Sequence, residues 1–282
     1  MRYVDLLYTS DDGLKLYARD YPGPDSDAPC VLCLPGLTRN SKDFDELALE
    51  LSSRYRVICP DQRGRGRSEY DAQPGRYRPD RYVQDMHTLL QIAGVRRTAI
   101  IGTSLGGLMA ILMVALFRDI VSGVVLNDVG PEVDPRGIAR ISSYVGKLSP
   151  VASWPEAVQR TIDINGQAFP DFTQNDWLGM TANTFRMENG TPVSDYDPSI
   201  SKGLAQGSAT PDLWPLFQSL AGKPVTVIRG ELSDILSEAT LIKMHERLPE
   251  ITSVQIDRVG HAPTLNESKA RSAIFALLEQ VG

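Results

Sequence analysis

The chain is poor in cysteine and histidine, with three of each in 282 residues. Three cysteines are an odd and small set, too few for a disulfide framework. Cys30 and Cys33 spell C-x-x-C in "CVLC", but strand alternation sends them to opposite faces, so buried thiols are expected rather than a redox pair. His87, His245 and His261 lie far apart without metal-ligand spacing, and no metal is expected. Long hydrophobic runs are also missing: the longest, residues 108–117, is about half of what a bilayer span needs, so no membrane partner is expected. Positive charge is not in excess, with 29 basic against 35 acidic residues and a formal charge of -6. That balance argues against nucleic acid or an anionic membrane surface and favours a small-molecule substrate. The start, "MRYVDLLYTSDDG", has no apolar h-region, so cytoplasmic residence is expected. Neither G-x-G-x-x-G nor a Lys-Ser/Thr phosphate loop occurs, and no cofactor is expected. Internal repeats and low-complexity tracts are absent, and a homo-oligomer stays open.

What is present fits one large α/β domain, or one domain with a sizeable insertion, since 42% hydrophobic residues can fill a core at this length. Residues 3–21 predict a hairpin around Asp11-Asp12-Gly13, at a sheet edge. From "CVLCLPG" to "VSGVVLND" apolar strands alternate with helical patterns, and this βαβ rhythm predicts a mainly parallel twisted sheet with helices on both faces. The rhythm stops near Gly130 and resumes near Lys223, at "KPVTVIRG". The predicted organisation is therefore a core over residues 1–130 and 216–282, interrupted by a mostly helical cap over 131–215 without a convincing buried strand. All three tryptophans, Trp154, Trp177 and Trp214, fall in that insertion.

Reactive groups of open α/β sheets gather beyond the carboxyl ends of the strands. Gly102-Thr103-Ser104-Leu105-Gly106 matches G-x-S-x-G where a strand turns into a helix, which is the setting of a nucleophile elbow. Small residues flank the serine because the turn is tight, and the following helix points its positive end at the serine oxygen. Ser104 is thus the candidate nucleophile. Its base is His261, in "DRVGHAPTL" after the last strand, because a serine hydroxyl needs a carboxylate-oriented histidine to take its proton. His87 and His245 lie within helical patterns and read as ordinary helix histidines. Two carboxylates compete to orient His261: Asp234 in "RGELSD" and Asp128 in "LNDVG", with Glu231 a minor third. Asp234 is favoured because its loop directly precedes the unit that delivers His261, and Asp128 is the alternative. The backbone amides of Leu105 and Leu37 are the candidate oxyanion-hole donors. Trp154, Phe169, Phe172, Trp177, Met180 and Phe185 could line an apolar pocket, but aromatics in a small insertion more often form its own core, so none is assigned to substrate.

Through "LPGL", "DQRGRGRS", "GTSLGG", "RGELSD" and "GHAP", residues 1–130 and 216–282 resemble the α/β-hydrolase superfamily. The resemblance implies the α/β-hydrolase fold and a capped serine hydrolase cleaving a small carboxylic ester or lactone through an acyl-enzyme. It also implies that Arg63-Gly64-Arg65-Gly66-Arg67 is a structural loop beside the site rather than an RNA-binding patch. Relatives often have His-Gly before the oxyanion residue; here Pro35-Gly36 keeps the backbone donor but loses a bracing side chain. Ser104 disfavours the dehalogenase and epoxide hydrolase branches, which use aspartate. Carbon-carbon bond hydrolysis of ring-fission products is the runner-up, since "PGLTRN" and Ala262 depart from that branch's motifs. A non-catalytic binder and a lyase or perhydrolase are further alternatives.

Overall fold

In the computed structural model, which describes residues 2–205 and 212–281, the edge hairpin consists of β1 (Val4–Thr9) and β2 (Lys15–Tyr21), paired antiparallel. Gly13, at φ 89°, supplies the left-handed residue of its turn. Next come β3 (Cys30–Leu34), α1 (Asp45–Leu51), β4 (Arg56–Asp61), α2 (Pro79–Ile92), β5 (Thr98–Thr103), α3 (Leu105–Leu116) and β6 (Val121–Asn127). After β6 follow α4 (Pro135–Tyr144), α5 (Trp154–Asn165), α6 (Gln174–Thr184), β7 (Phe185–Glu188), β8 (Thr191–Ser194), α7 (Ile200–Ala205) and α8 (Trp214–Phe217). The chain closes with β9 (Val225–Gly230), α9 (Glu238–Arg247), β10 (Thr252–Ile256) and α10 (Ser268–Val281).

Eight strands form one sheet in the order β1-β2-β4-β3-β5-β6-β9-β10. β2 meets β4 antiparallel, and every pair from β4 to β10 is parallel. This is the α/β-hydrolase fold. The sheet is covered on both faces: Leu32, Ile100 and Leu126 pack with α2, α3, α8 and α9, while Val31, Ile101 and Val125 pack with α1 and α10. Two-sided burial explains why the central strands read as continuous apolar runs. The same alternation separates Cys30 from Cys33 and places them in opposite layers. Burial pushes the Cys30 thiol up to about 12, which leaves it inert. Among the described residues no helix is long and apolar enough to cross a membrane.

The stretch from α4 to α7 borders, through α4, α5 and α6, the same cavity as the loops that follow β3, β5 and β10. It holds a two-stranded antiparallel sheet, β7-β8, that the expectation of a helical insertion omitted. Of its eight residues only Phe185 and Pro192 are buried, so there is no apolar periodicity long enough to read. Residues 206–211, within the expected cap range, lie outside the described residues.

Tyr196 of this stretch pairs with Arg65 in a β-bridge, the Gly66 amide donates to Asp195 at 3.0 Å, and the Asp197 amide donates to Gly64 at 2.7 Å. The "RGRGR" run is therefore a fastening. Arg63 is fully buried and meets Asp12, Asp71 and Asp85 at 3.1, 2.5 and 2.7 Å. Arg65, also fully buried, lies 4.8 Å over the Tyr82 ring. Buried guanidinium groups survive only when so partnered.

Candidate active site

Ser104 sits between β5 and α3 at φ 53°, ψ -116°, in the left-handed region a non-glycine residue rarely enters. Close packing imposes this turn. A Cβ on Gly106 would fall on the Leu34 carbonyl, and one on Gly102 would fall on the Gly106 carbonyl. The Ser104 amide is tied to the Asn127 carbonyl at 3.0 Å, so the serine is held just beyond the carboxyl end of the central strand β5.

His261 follows β10, in a loop pinned by the Asn127 side-chain amide donating to the Pro263 carbonyl at 2.8 Å. Its Nε2 lies 2.8 Å from Ser104 Oγ and its Nδ1 lies 2.8 Å from Asp128 Oδ2. A carboxylate only accepts, so Nδ1 carries the proton to Asp128 and Nε2 is left to accept from the serine hydroxyl.

The acid at His261 is thus Asp128 and not Asp234, the carboxylate favoured from the sequence. Asp128 follows β6 at φ 56° and is completely buried. It also accepts from the Gly230 amide at 2.9 Å and from Ser233 Oγ at 2.6 Å, which compensates its desolvation. Asp234 turns to Arg140 of α4, accepting from Nε at 2.5 Å and Nη2 at 2.8 Å. Burial alone would raise the Asp234 carboxyl, but the hydrogen bonds and charge of Arg140 outweigh it and hold the group below its ordinary value. Glu231 accepts from the Arg258 amide at 2.6 Å. His87 stacks on Phe117 at 4.1 Å, and His245 bonds Ser253 at 2.9 Å.

The amide of Leu105 opens α3, and Leu37 lies in the loop after β3; among the described residues neither amide donates to a protein acceptor. Two side chains brace the Leu37 loop in a role the sequence did not assign to them: Gln62 Nε2 donates to the Pro35 carbonyl at 3.1 Å, and Arg65 Nε donates to the Leu37 carbonyl at 2.9 Å. Their only signal was membership of "DQRGRGRS".

Ser104, His261 and Leu37 border a cavity of about 620 Å³. Its opposite wall comes from α4, α5 and α6. Phe169, Phe172, Met180 and Phe185 reach it, whereas Trp177 is buried against Phe172 and Trp154 packs on Val151 and Ala157. The six apolar residues left unassigned from sequence are thus divided between wall and packing.

A serine at a tight strand-to-helix turn on a mainly parallel sheet of this order is the arrangement of an α/β-hydrolase-type protein. Residues 29–268 match the family described as alpha/beta hydrolase fold, and the chain belongs to that family as one of its hydrolases. It is 34% identical over 267 residues to the 3-hydroxybutyrate-oligomer hydrolase of Cupriavidus necator, covering 90% of each chain. It is 26% identical to the 2-(acetamidomethylene)succinate hydrolase of Mesorhizobium japonicum, over 83% of this chain and 81% of that one. A crystal structure of an alpha/beta hydrolase from Novosphingobium aromaticivorans superimposes with a TM-score of 0.94 at 43% identity, covering 99% of both chains.

Proposed function

We propose that the protein is a serine hydrolase of small carboxylic esters, lactones included, working through an acyl-enzyme. The observation that carries this reading is the unbroken hydrogen-bonded chain from Ser104 Oγ through His261 to Asp128, at 2.8 Å for each link. Ser104 Oγ attacks the ester carbonyl while His261 Nε2 takes its proton, and Asp128 stabilises the imidazolium that forms. The tetrahedral oxyanion is received by the amides of Leu37 and Leu105. His261 returns the proton to the leaving alcohol. A water, deprotonated by the same Nε2, then attacks the acyl carbon; the bond to Ser104 Oγ breaks as Nε2 returns that proton to it, and the acid is released.

The stretch from α4 to α7 serves as the cap, and its apolar wall accepts the acyl chain. Similarity to a 3-hydroxybutyrate-oligomer hydrolase supports short hydroxy-acid esters within that class, because oligomers of a hydroxy acid are joined by ester bonds.

Fluorophosphonate labelling, beside turnover of esters and lactones of graded acyl length, tests the reading. Labelling and hydrolysis are expected in the intact protein and absent in Ser104→Ala. An intact protein that binds ligand but neither labels nor turns over would be a non-catalytic binder.

A further inference from the structure

Three arginines border the cavity that holds Ser104; Arg2 is exposed and pairs with Asp45, and the hydrogen bonds of Arg39 and Arg140 differ in one decisive way. A guanidinium offers a side edge, Nε with one Nη, and an end edge formed by the two Nη groups; either matches a carboxylate bidentately. Arg39 has both edges engaged. Asp43 takes Nε and Nη2 at 2.6 Å each, and Nη1 donates to Thr184 Oγ1 at 2.7 Å.

Arg140 is also held on its side edge, by Asp234, but among the described residues its Nη1 donates to no protein acceptor. Its end edge is open. Tyr144, one helical turn further along α4, borders the same cavity. Burial holds the Tyr144 phenol above its ordinary value, so it stays a neutral donor, and its hydroxyl lies beside the Arg140 guanidinium. Arg140 and His261 border the same cavity.

Asp234 therefore gains a different role from the one the sequence suggested. It keeps Arg140 charged and fixes its rotamer, so the open edge is presented without the entropy cost of ordering a long side chain on binding.

We propose that Arg140, assisted by Tyr144, is the specificity-determining group of this cavity and receives a free carboxylate of the substrate. The favoured substrates are then short esters that carry a carboxylate away from the scissile bond. This substrate class rests on the reading of Ser104 as the nucleophile, whereas anion binding at Arg140 does not.

Two measurements test it separately. Calorimetry of 3-hydroxybutyrate against its neutral amide needs no turnover; the acid is expected to bind about 10- to 100-fold more tightly, as for hydrogen bonds to a charged group. The preference is expected to vanish in Arg140→Gln/Asp234→Asn, which removes the arginine without stranding a carboxylate, and to return in part in Arg140→Lys. The second measurement is the ratio of kcat/KM for monomethyl glutarate over dimethyl glutarate, expected above one in the intact protein and to fall at least tenfold in the double variant. Equal binding of acid and amide, no binding of either at millimolar concentration, or an unchanged ratio in the double variant would each overturn the proposal. Loss of fluorophosphonate labelling with anion binding intact would instead overturn the nucleophile reading and leave this subsite standing.

Discussion

His261 Nδ1 lies 2.8 Å from Asp128 Oδ2 at the end of β6, while the carboxylate beyond the neighbouring strand β9, Asp234, is held by Arg140. The two acids stand in adjacent loops, and only one meets the imidazole. Asp128→Asn is expected to lower kcat by about 10³- to 10⁴-fold, the scale seen when a histidine loses its orienting carboxylate. Asp234→Asn is expected to cost kcat less than about tenfold, an order set by the loss of a single hydrogen-bonded charge. Steady-state kinetics on a neutral ester decide this, and a larger loss in Asp234→Asn would reverse the assignment.

The bracing of the Leu37 loop can be tested at Gln62, whose Nε2 donates to Pro35. Gln62→Met keeps the volume and removes the bond. A fall in kcat of about tenfold is expected, with KM little changed, because an oxyanion donor acts chiefly in the transition state. A change confined to KM would show that the loop positions substrate instead.

Arg63→Met removes the common partner of Asp12, Asp71 and Asp85. Leaving buried carboxylates uncompensated is expected to cost roughly 3–5 kcal/mol of stability. Burial already raises the Asp85 carboxyl, against the pull of Arg63, and the variant raises it further. A group raised on folding stabilises below its unfolded value and loses that contribution as pH rises through the folded one. The variant's deficit in Tm should therefore be larger at pH 8 than at pH 5, as differential scanning fluorimetry would show.

Asp234 carries the opposite sign. Its carboxyl is held below the ordinary value because the hydrogen bonds and charge of Arg140 outweigh burial. Its contribution is fully present above the unfolded value, about 3.9, and is lost as pH falls through the lower folded one. The Tm difference between the intact protein and Asp234→Asn should hold steady from pH 5 to 8 and shrink as the pH is taken below about 4. A difference that grows on acidification would contradict the pairing.

Gly106→Ala tests the elbow. The added methyl would strike the Leu34 carbonyl, so α3 must move away from β3. Overpacking of this kind costs about 1–3 kcal/mol or more. The displaced helix carries the Leu105 amide, so kcat should fall even in the fraction that folds. A stable, fully active variant would mean that the turn tolerates a side chain.

Local patterns were the legible part of this chain. The hairpin, the alternation of buried strands and helices, the opposite facing of Cys30 and Cys33, and the glycines around Ser104 all follow from periods of two and 3.6 residues and from turn sterics. The β7-β8 pair was not legible, because two four-residue strands carry too few apolar positions to set a period. Gln62 and Arg65 could be placed in a loop near the site, but their acceptors, the carbonyls of Pro35 and Leu37, are backbone groups that no residue pattern identifies.

The sequence by itself determined the sheet, the serine turn and the histidine that could serve it, since each rests on short-range rules. Only the tertiary structure decided which acid meets His261. Asp128 and Asp234 are the same chemical group on neighbouring strand ends, and the difference lies in the donors that reach them. The Gly230 amide and Ser233 hydroxyl saturate Asp128 in a fully buried place, while Arg140, 94 residues earlier in the chain than Asp234, claims the other. A buried carboxylate persists where donors are supplied, and that supply comes from packing distant segments together.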